Sequence, residues 1–363
     1  MHVTVTALTG MPEVPAGADL AALLLAAVEG VGERLLDGDV LVVSSKVVSK
    51  ALGLWAEAGA DREAVIAQQT RRVVAERRSG DRLTRIVHSV AGPVMAAAGV
   101  DASNTGGSDR LLLLPAEPDA AAHLLHRALV AASGRQRLGL VLSDTAGRAW
   151  RAGQVDFALG SAGLRVLDDL RGGVDADGRP LAVTARAIAD EVAAAADLVK
   201  GKADGVPAAL VRGLDDWVVE DSGADVGDGF GAGTGAGTAA VPGAGSLVRT
   251  GREDWFGYGW LEAVRASLGV EPGSPEAEEC GIPAVHPDPV GDRVRRAVSV
   301  ALHGLPDVGV DVGPNDVRVT ADDRFELGRA VARLEVALWG EALSAELEFP
   351  RSASEATLRV SER

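Results

Sequence analysis

Thiols, lysines and aromatic rings are scarce in this 363-residue chain. The one cysteine, Cys280, can form neither an internal disulfide nor a zinc site, which fits a reducing cytosol. No run of 18 apolar residues occurs, and the N-terminus has no signal-peptide pattern, so neither membrane insertion nor export is expected. Bases are outnumbered, 36 against 52 acids, for a formal charge of −16. That balance excludes the basic footprint that non-specific nucleic-acid binding needs. Aromatics are only 3%, so alanine and aliphatic residues must fill the core. Hydrophobic residues at 47% suffice for a sizeable one, and the length suits two domains.

The lysine deficit is selective. Of the 36 bases, 32 are arginine, and the four lysines fall in two tight pairs, Lys46 with Lys50 and Lys200 with Lys202. In a chain that otherwise uses arginine, a lysine points to a place suited to a compact ammonium rather than a planar fork. Composition drift is the competing explanation.

Along the chain, Val3 to Leu8 alternates as a strand does, and Asp19 is placed to cap a helix over 20–35. Val40-Leu41-Val42-Val43 is a buried strand followed by a helix opening near Ser44-Ser45-Lys46. An arginine-rich helix is expected over 61–78 and an alanine-rich one over 184–200. Strand signals recur at 83–88, 111–114, 138–142 and 208–212. Strands and helices mix without strict alternation, so the expected class is α+β. Residues 222–250 read as a glycine-rich loop or linker, with nine glycines between 222 and 246. Beyond 250 there are 21 acids and 12 bases and no lysine. The expected division is a domain over 1–221, the linker, and a small C-terminal α/β appendage over 251–363. The appendage should hold helices near 290–303 and 325–346 and a strand near 316–320.

Four places could carry chemistry. Asp144-Thr145 follows the apolar strand, and a carboxylate beside a hydroxyl at a strand end suits a hard cation. Arg148 and Arg151 nearby could answer phosphate charge. Asp101 and Asn104 share a glycine-flanked polar loop. Ser45, Lys46 and Lys50 lie at a helix start, where backbone amides and ammoniums suit an anion. Lys200, Gly201, Lys202 and Asp204 end the long helix. The competing readings are a backbone-capping Asp, an Asx turn, a solvated basic face, and lysines favoured by a helix C-terminus. His123 and His126 read as structural or surface residues, and Cys280 has no base nearby to activate it.

Taken in order, these segments resemble one family. They are Gly10-Met11-Pro12-Glu13, Ser44-Ser45-Lys46-Val47-Val48-Ser49-Lys50, Gly99-Val100-Asp101-Ala102-Ser103-Asn104 and Ser143-Asp144-Thr145-Ala146-Gly147-Arg148. Gly153-Gln154-Val155-Asp156, Asp169-Leu170-Arg171-Gly172 and Lys200-Gly201-Lys202-Ala203-Asp204-Gly205 continue the match. The chain over 3–215 is similar to the coenzyme F-420:L-glutamate ligases, or gamma-glutamyl ligases.

The resemblance implies an F-420 glutamyl-ligase fold with mixed and antiparallel sheets, a cytoplasmic homodimer, and GTP, L-glutamate and a deazaflavin coenzyme precursor as partners. It implies Mg²⁺ or Mn²⁺ at two sites, with K⁺ as a further candidate. GTP would activate the lactyl carboxylate as an acyl phosphate, glutamate would displace the phosphate, and gamma-linked extension could follow. Residue by residue, Met11, Pro12, Glu13, Val14, Ser45, Lys50 and Asn104 match GTP contacts, as does the stretch with Lys200, Gly201, Lys202 and Asp204. Asp101 and Asp144 match ligands of one metal and Thr145 a ligand of another. Asp144, Lys50 and Arg148 are the expected catalytic residues, and Asp156, Asp190 and Glu191 are candidates for the general base. Met11 stands where relatives carry Leu. A related ligase with another acid substrate and a non-catalytic nucleotide-binding protein are the alternatives.

Overall fold

The computed structural model describes residues 2–102, 110–202, 204–220, 241–250 and 254–363. They divide into two compact units, one of residues 1–70 and 89–249, the other of 71–88 and 250–363.

In the first unit the chain runs β1 (Thr4–Ala7), α1 (Leu20–Gly30), β2 (Val40–Ser44), α2 (Ser45–Ala51) and α3 (Arg62–Gln68). After the hairpin of β3 (Thr70–Ser79) and β4 (Arg82–Ser89) come β5 (Val94–Ala96), α4 (Pro118–Ser133), β6 (Gly139–Arg148) and β7 (Arg151–Ala162). The short β8 (Asp168–Asp169) and β9 (Ala185–Arg186) lead to α5 (Ile188–Lys200) and β10 (Ala208–Arg212). Five strands form one mixed sheet in the order β1-β10-β2-β6-β7, in which only β2 and β6 run parallel.

Alternation builds the layers on this sheet. Leu41, Val43, Leu140, Leu142 and Leu210 pack with Leu24 and Val28 of α1 and Leu125 and Leu129 of α4. Val40, Val42, Val141, Ala209 and Val211 pack with Ile188, Val192 and Ala196 of α5. Both faces are covered, which is why these strands read as continuous apolar runs. Gly160 on β7 has no room for a side chain: a Cβ there would lie 2.4 Å from the Pro118 carbonyl oxygen at the start of α4. Gly160→Ala is therefore expected to destabilise the protein by about 1–3 kcal/mol through overpacking against backbone. An unchanged thermal midpoint would contradict it.

The second unit adds α6 (Trp260–Ser267), α7 (Pro275–Glu279), α8 (Val290–Leu302), β11 (Val308–Val312), β12 (Asp316–Ala321), α9 (Arg324–Gly340), β13 (Leu343–Ser352) and β14 (Glu355–Glu362). Its sheet is antiparallel in the order β11-β12-β14-β13. α8 and α9 share a core with the sheet through Val300, Leu334, Leu338, Val317, Val319 and Leu358. Buried Glu341 accepts from Arg265 at 2.6 Å and from Arg296 at 2.6 Å, and Arg296 also pairs with Asp288 at 2.5 Å.

Several expectations change. The helix over 61–78 stops at Gln68, and Thr70–Ser79 is a strand, because β-branched Thr70, Val73 and Val74 and the Arg85–Glu76 pair at 3.2 Å favour a hairpin. This hairpin belongs to the second unit, where Glu76 accepts from Gly273 N at 3.2 Å and Arg77 pairs with buried Glu262. The α9 helix ends at Gly340 rather than 346, since Ala342 takes φ 56° and β13 begins at Leu343. Residues 111–114 form an isolated bridge at Leu112, not a strand. Residues 221–240 of the expected linker lie outside the described residues. Past them the chain is packed: Ala244 is buried in the first unit, and Gly245 N donates to Asp119 Oδ2 at 3.0 Å.

Candidate functional site

The strand carrying Asp144 does not end there. It continues to Arg148 as one arm of a hairpin, with Thr145 directly opposite Asp156. The register moves from Leu142 opposite Gly160 to Ser143 opposite Ala158, so Leu159 is the extra residue of a bulge just before the site. Bulges bend the strand and re-aim side chains. Along β6, Val141 faces α5, and alternation sends Ser143 and Thr145 the same way. Asp144 shares the opposite direction with Leu142, whose core contains α1 and α4.

On the α5 side, four polar groups interlock. Asp156 Oδ2 accepts from Ser143 Oγ at 2.9 Å and from Lys200 Nζ at 2.6 Å, and Asp156 Oδ1 accepts from Thr145 Oγ1 at 2.5 Å. Lys200 Nζ also donates to Ser143 Oγ at 2.6 Å. Ser143, Asp156 and Lys200 are all buried, whereas the exposed Lys202 donates to Thr145 Oγ1. Gly201 makes the turn between the lysines at φ 60°. Burial pushes the Asp156 carboxyl up, but the Lys200 charge and the hydrogen bonds from Lys200, Thr145 and Ser143 outweigh it and hold the group below its usual range.

Asp101 is pinned by two backbone bonds to Leu112, donating at 3.1 Å and accepting at 2.8 Å. Its Oδ2 pairs with Lys46 Nζ at 2.7 Å. Asp144 has its carboxyl pushed up to about 6, chiefly by burial. The Thr145 amide and Lys202 act against that rise, and the charges of Asp156 and Asp101 add to it. Lys50 is buried on α2 and pairs with Glu13. This brings the two expected nucleotide segments together, 11–14 and 45–50.

Within those segments the roles separate. Met11 is half-buried against the core and Val14 is part of it, while Pro12 and Glu13 are exposed. Ser45 is buried at the first position of α2. Asp204 is exposed after α5. Asn104 lies outside the described residues. Arg148 is not gathered in: it sits at the exposed tip of the hairpin opposite Arg151, about 13 Å along the strand from Asp144 at roughly 3.3 Å per residue. The three general-base candidates are each engaged. Asp156 is in the Lys200 network, Asp190 accepts from Ala158 N at 2.9 Å, and Glu191 pairs with Arg186 at 3.0 Å.

The donor set suits a hard divalent cation that shares its coordination with phosphate. Among the described residues no three His, Cys, Asp or Glu side chains form a metal cluster. Asp101, Asp144 and the Thr145 hydroxyl nevertheless offer oxygen alone, and Mg²⁺ is commonly held by one or two carboxylates plus water and substrate phosphates. The ammoniums of Lys46 and Lys202 lie on two of these three oxygen groups, which marks both as attractive to positive charge.

The comparisons place the chain in the ligase class of enzymes. Residues 10–213 match the family described as F420-0:Gamma-glutamyl ligase, and the chain belongs to that family. A coenzyme F420:L-glutamate ligase of Methanothermobacter thermautotrophicus is 41% identical over 229 residues, 59% of this chain and 90% of that protein. One from Halobacterium salinarum is 40% identical over 228 residues, 57% of this chain and 85% of its own length. One from Archaeoglobus fulgidus is 38% identical over 228 residues, 59% and 89%. No described helix is long and apolar enough to cross a membrane.

Sequence reading missed the partnership of Ser143, Asp156 and Lys200. Its trace was the polar pair Gln154 and Asp156 flanking Val155 before an apolar run, a strand pattern that would have put Gln154 and Asp156 on one face.

Proposed function

We propose that this chain joins L-glutamate to the carboxylate of a glutamate-free deazaflavin phosphodiester, in the biosynthesis of coenzyme F420, with GTP as phosphoryl donor. The observation that carries the reading is the pairing of Asp101 with Lys46 and of Thr145 with Lys202, with the Asp144 carboxyl beside them, on a domain of this family. The γ-phosphoryl group moves to the substrate carboxylate and GDP leaves. The glutamate amine then attacks the acyl carbon, phosphate departs, and an amide remains.

The residues divide this work. Asp101 and Asp144 supply anionic oxygens for a divalent cation, Mg²⁺ or Mn²⁺, and Thr145 supplies a neutral oxygen for a second. Bound there, such ions screen the polyphosphate and withdraw charge from the leaving group. With cations held by Asp101 and Thr145, the ammoniums of Lys46 and Lys202 that now lie on those oxygens would meet phosphate oxygens instead. Lys50, held by Glu13, presents a fixed ammonium beside segment 11–14. A cytosolic homodimer, K⁺ as an auxiliary ion and gamma-linked extension belong to the same proposal.

Purified protein incubated with GTP, Mn²⁺, glutamate and the glutamate-free coenzyme is expected to release GDP and phosphate. Mass spectrometry should show product heavier by one or more glutamyl groups. GTP binding without glutamylated product would sink the proposal. Turnover only with a different acid would move it to a related ligase. Light scattering on the same sample reads the dimer.

A further inference from the structure

Thr145 faces a prepared environment that the proposed metal chemistry has not yet used. Its hydroxyl hydrogen is committed to Asp156 Oδ1 at 2.5 Å. A hydroxyl has one hydrogen and two lone pairs, so that commitment leaves Thr145 as an acceptor toward anything else. The ammonium of Lys202 sits on that acceptor side. Asp156 cannot turn away, because Ser143 at 2.9 Å and Lys200 at 2.6 Å hold its other oxygen. Lys200 also bonds Ser143 at 2.6 Å, closing a buried triangle.

We infer that Asp156 is a positioning residue that fixes the Thr145 hydroxyl as an oxygen ligand for a cation, with Lys200 and Ser143 locking Asp156 in place. The inference rests on the proposed reading of Thr145 as a metal ligand. It assigns Lys200 to the protein's interior and leaves Lys202 as the exposed lysine of the pair for a phosphate. It also separates two cation ligands by the faces of one strand: Asp144 on one, Thr145 with Asp156 on the other. Partners that orient a ligand in this way typically change metal affinity 10–100-fold when removed.

The test is Mn²⁺ binding without nucleotide, followed by the electron paramagnetic resonance of free Mn²⁺. Asp156→Ala/Lys200→Met removes the acceptor while leaving net charge unchanged. It is expected to weaken one class of Mn²⁺ site by about 10–100-fold and leave the other. Asp156→Asn/Lys200→Met restores a carbonyl acceptor and should recover most of the loss. In a Thr145→Val background, Asp156→Ala/Lys200→Met should cause no further loss, since coupled residues do not add. Should the alanine pair fail to fold, Asp156→Val/Lys200→Met, with a residue suited to a strand, carries the same comparison. Unchanged Mn²⁺ affinity, no recovery with asparagine, or full additivity with Thr145→Val would each overturn the inference alone. Failure of the wild type to bind Mn²⁺ would overturn it together with the metal reading.

Discussion

Asp144→Asn is expected to abolish turnover and, in metal-free protein, to raise the melting temperature at pH 8. Burial is the main cause lifting the Asp144 carboxyl from 3.8 to about 6, with Asp156 and Asp101 adding like charge. The sign follows from proton linkage. An acid whose folded pKa is raised favours the folded state while it is protonated. That contribution is full below the unfolded value and is lost as pH rises through about 6. Above pH 6 the ionised carboxylate therefore opposes folding by about 3 kcal/mol, because a tenfold change in proton affinity is worth about 1.4 kcal/mol. The amide removes the charge at nearly the same volume and can keep accepting from the Thr145 amide. The melting temperature should rise by roughly 6–12 °C at pH 8 in a chelator, at about 2–4 °C per kcal/mol, and by little at pH 4. Mn²⁺ should stabilise the wild type more than the variant, because only a ligand held by the folded state raises its stability and the variant keeps only the Thr145 position. Catalysis should fall by at least about 100-fold, as cation charge is no longer held over the phosphates. Full activity, or a lower melting temperature in chelator at pH 8, would refute this account of Asp144.

Lys200→Met is expected to be the more damaging change to stability. Lys200 and Asp156 are both buried and 2.6 Å apart. Removing one member of such a pair leaves a charge without a partner in a place water does not reach, a loss of about 3–5 kcal/mol. Asp156 would then keep only the Ser143 and Thr145 hydroxyls. Adding Asp156→Asn is expected to recover most of the loss, because the amide oxygen still accepts and no buried charge remains. The pH dependence runs opposite to that of Asp144. The Asp156 carboxyl is held below its ordinary range despite burial, so its stabilisation is present above about pH 4 and disappears as pH falls through the depressed value. The gap between wild type and Lys200→Met should thus be widest near neutrality and shrink in acid. Denaturant titrations at pH 7 and pH 4 measure it. A variant as stable as the wild type at pH 7 would contradict the buried pair.

These two residues also separate what a linear reading can and cannot reach. Lys200 and Lys202 look alike in sequence, two lysines in a chain nearly without them. The helix α5 ends between them, so one ammonium points into the protein toward Ser143 and Asp156 and the other stays at the surface beside Thr145. Asp144 was legible because it follows an apolar strand and precedes a hydroxyl. Its elevated carboxyl was not, since that depends on burial and on Asp101 and Asp156, 43 and 12 residues away in the chain. Arg148 was drawn in by nearness in sequence, yet an extended strand carries it away from the carboxylates.

The sequence alone determined the family, the α+β mixture, the apolar strands of the central sheet and the polar segments proposed to carry the chemistry. Each of these is a local pattern or an ordered set of motifs, and chain order preserves it. Tertiary structure alone decided that residues 71–88 form a hairpin of the second unit, that Lys50 meets Glu13, and that Asp156 stands across from Thr145. Those facts depend on strand register and on pairings between distant residues, which a linear pattern does not encode locally. The scarce lysines remain the clearest example. Their number and places are written in the sequence, but the partner of each ammonium is set by the fold.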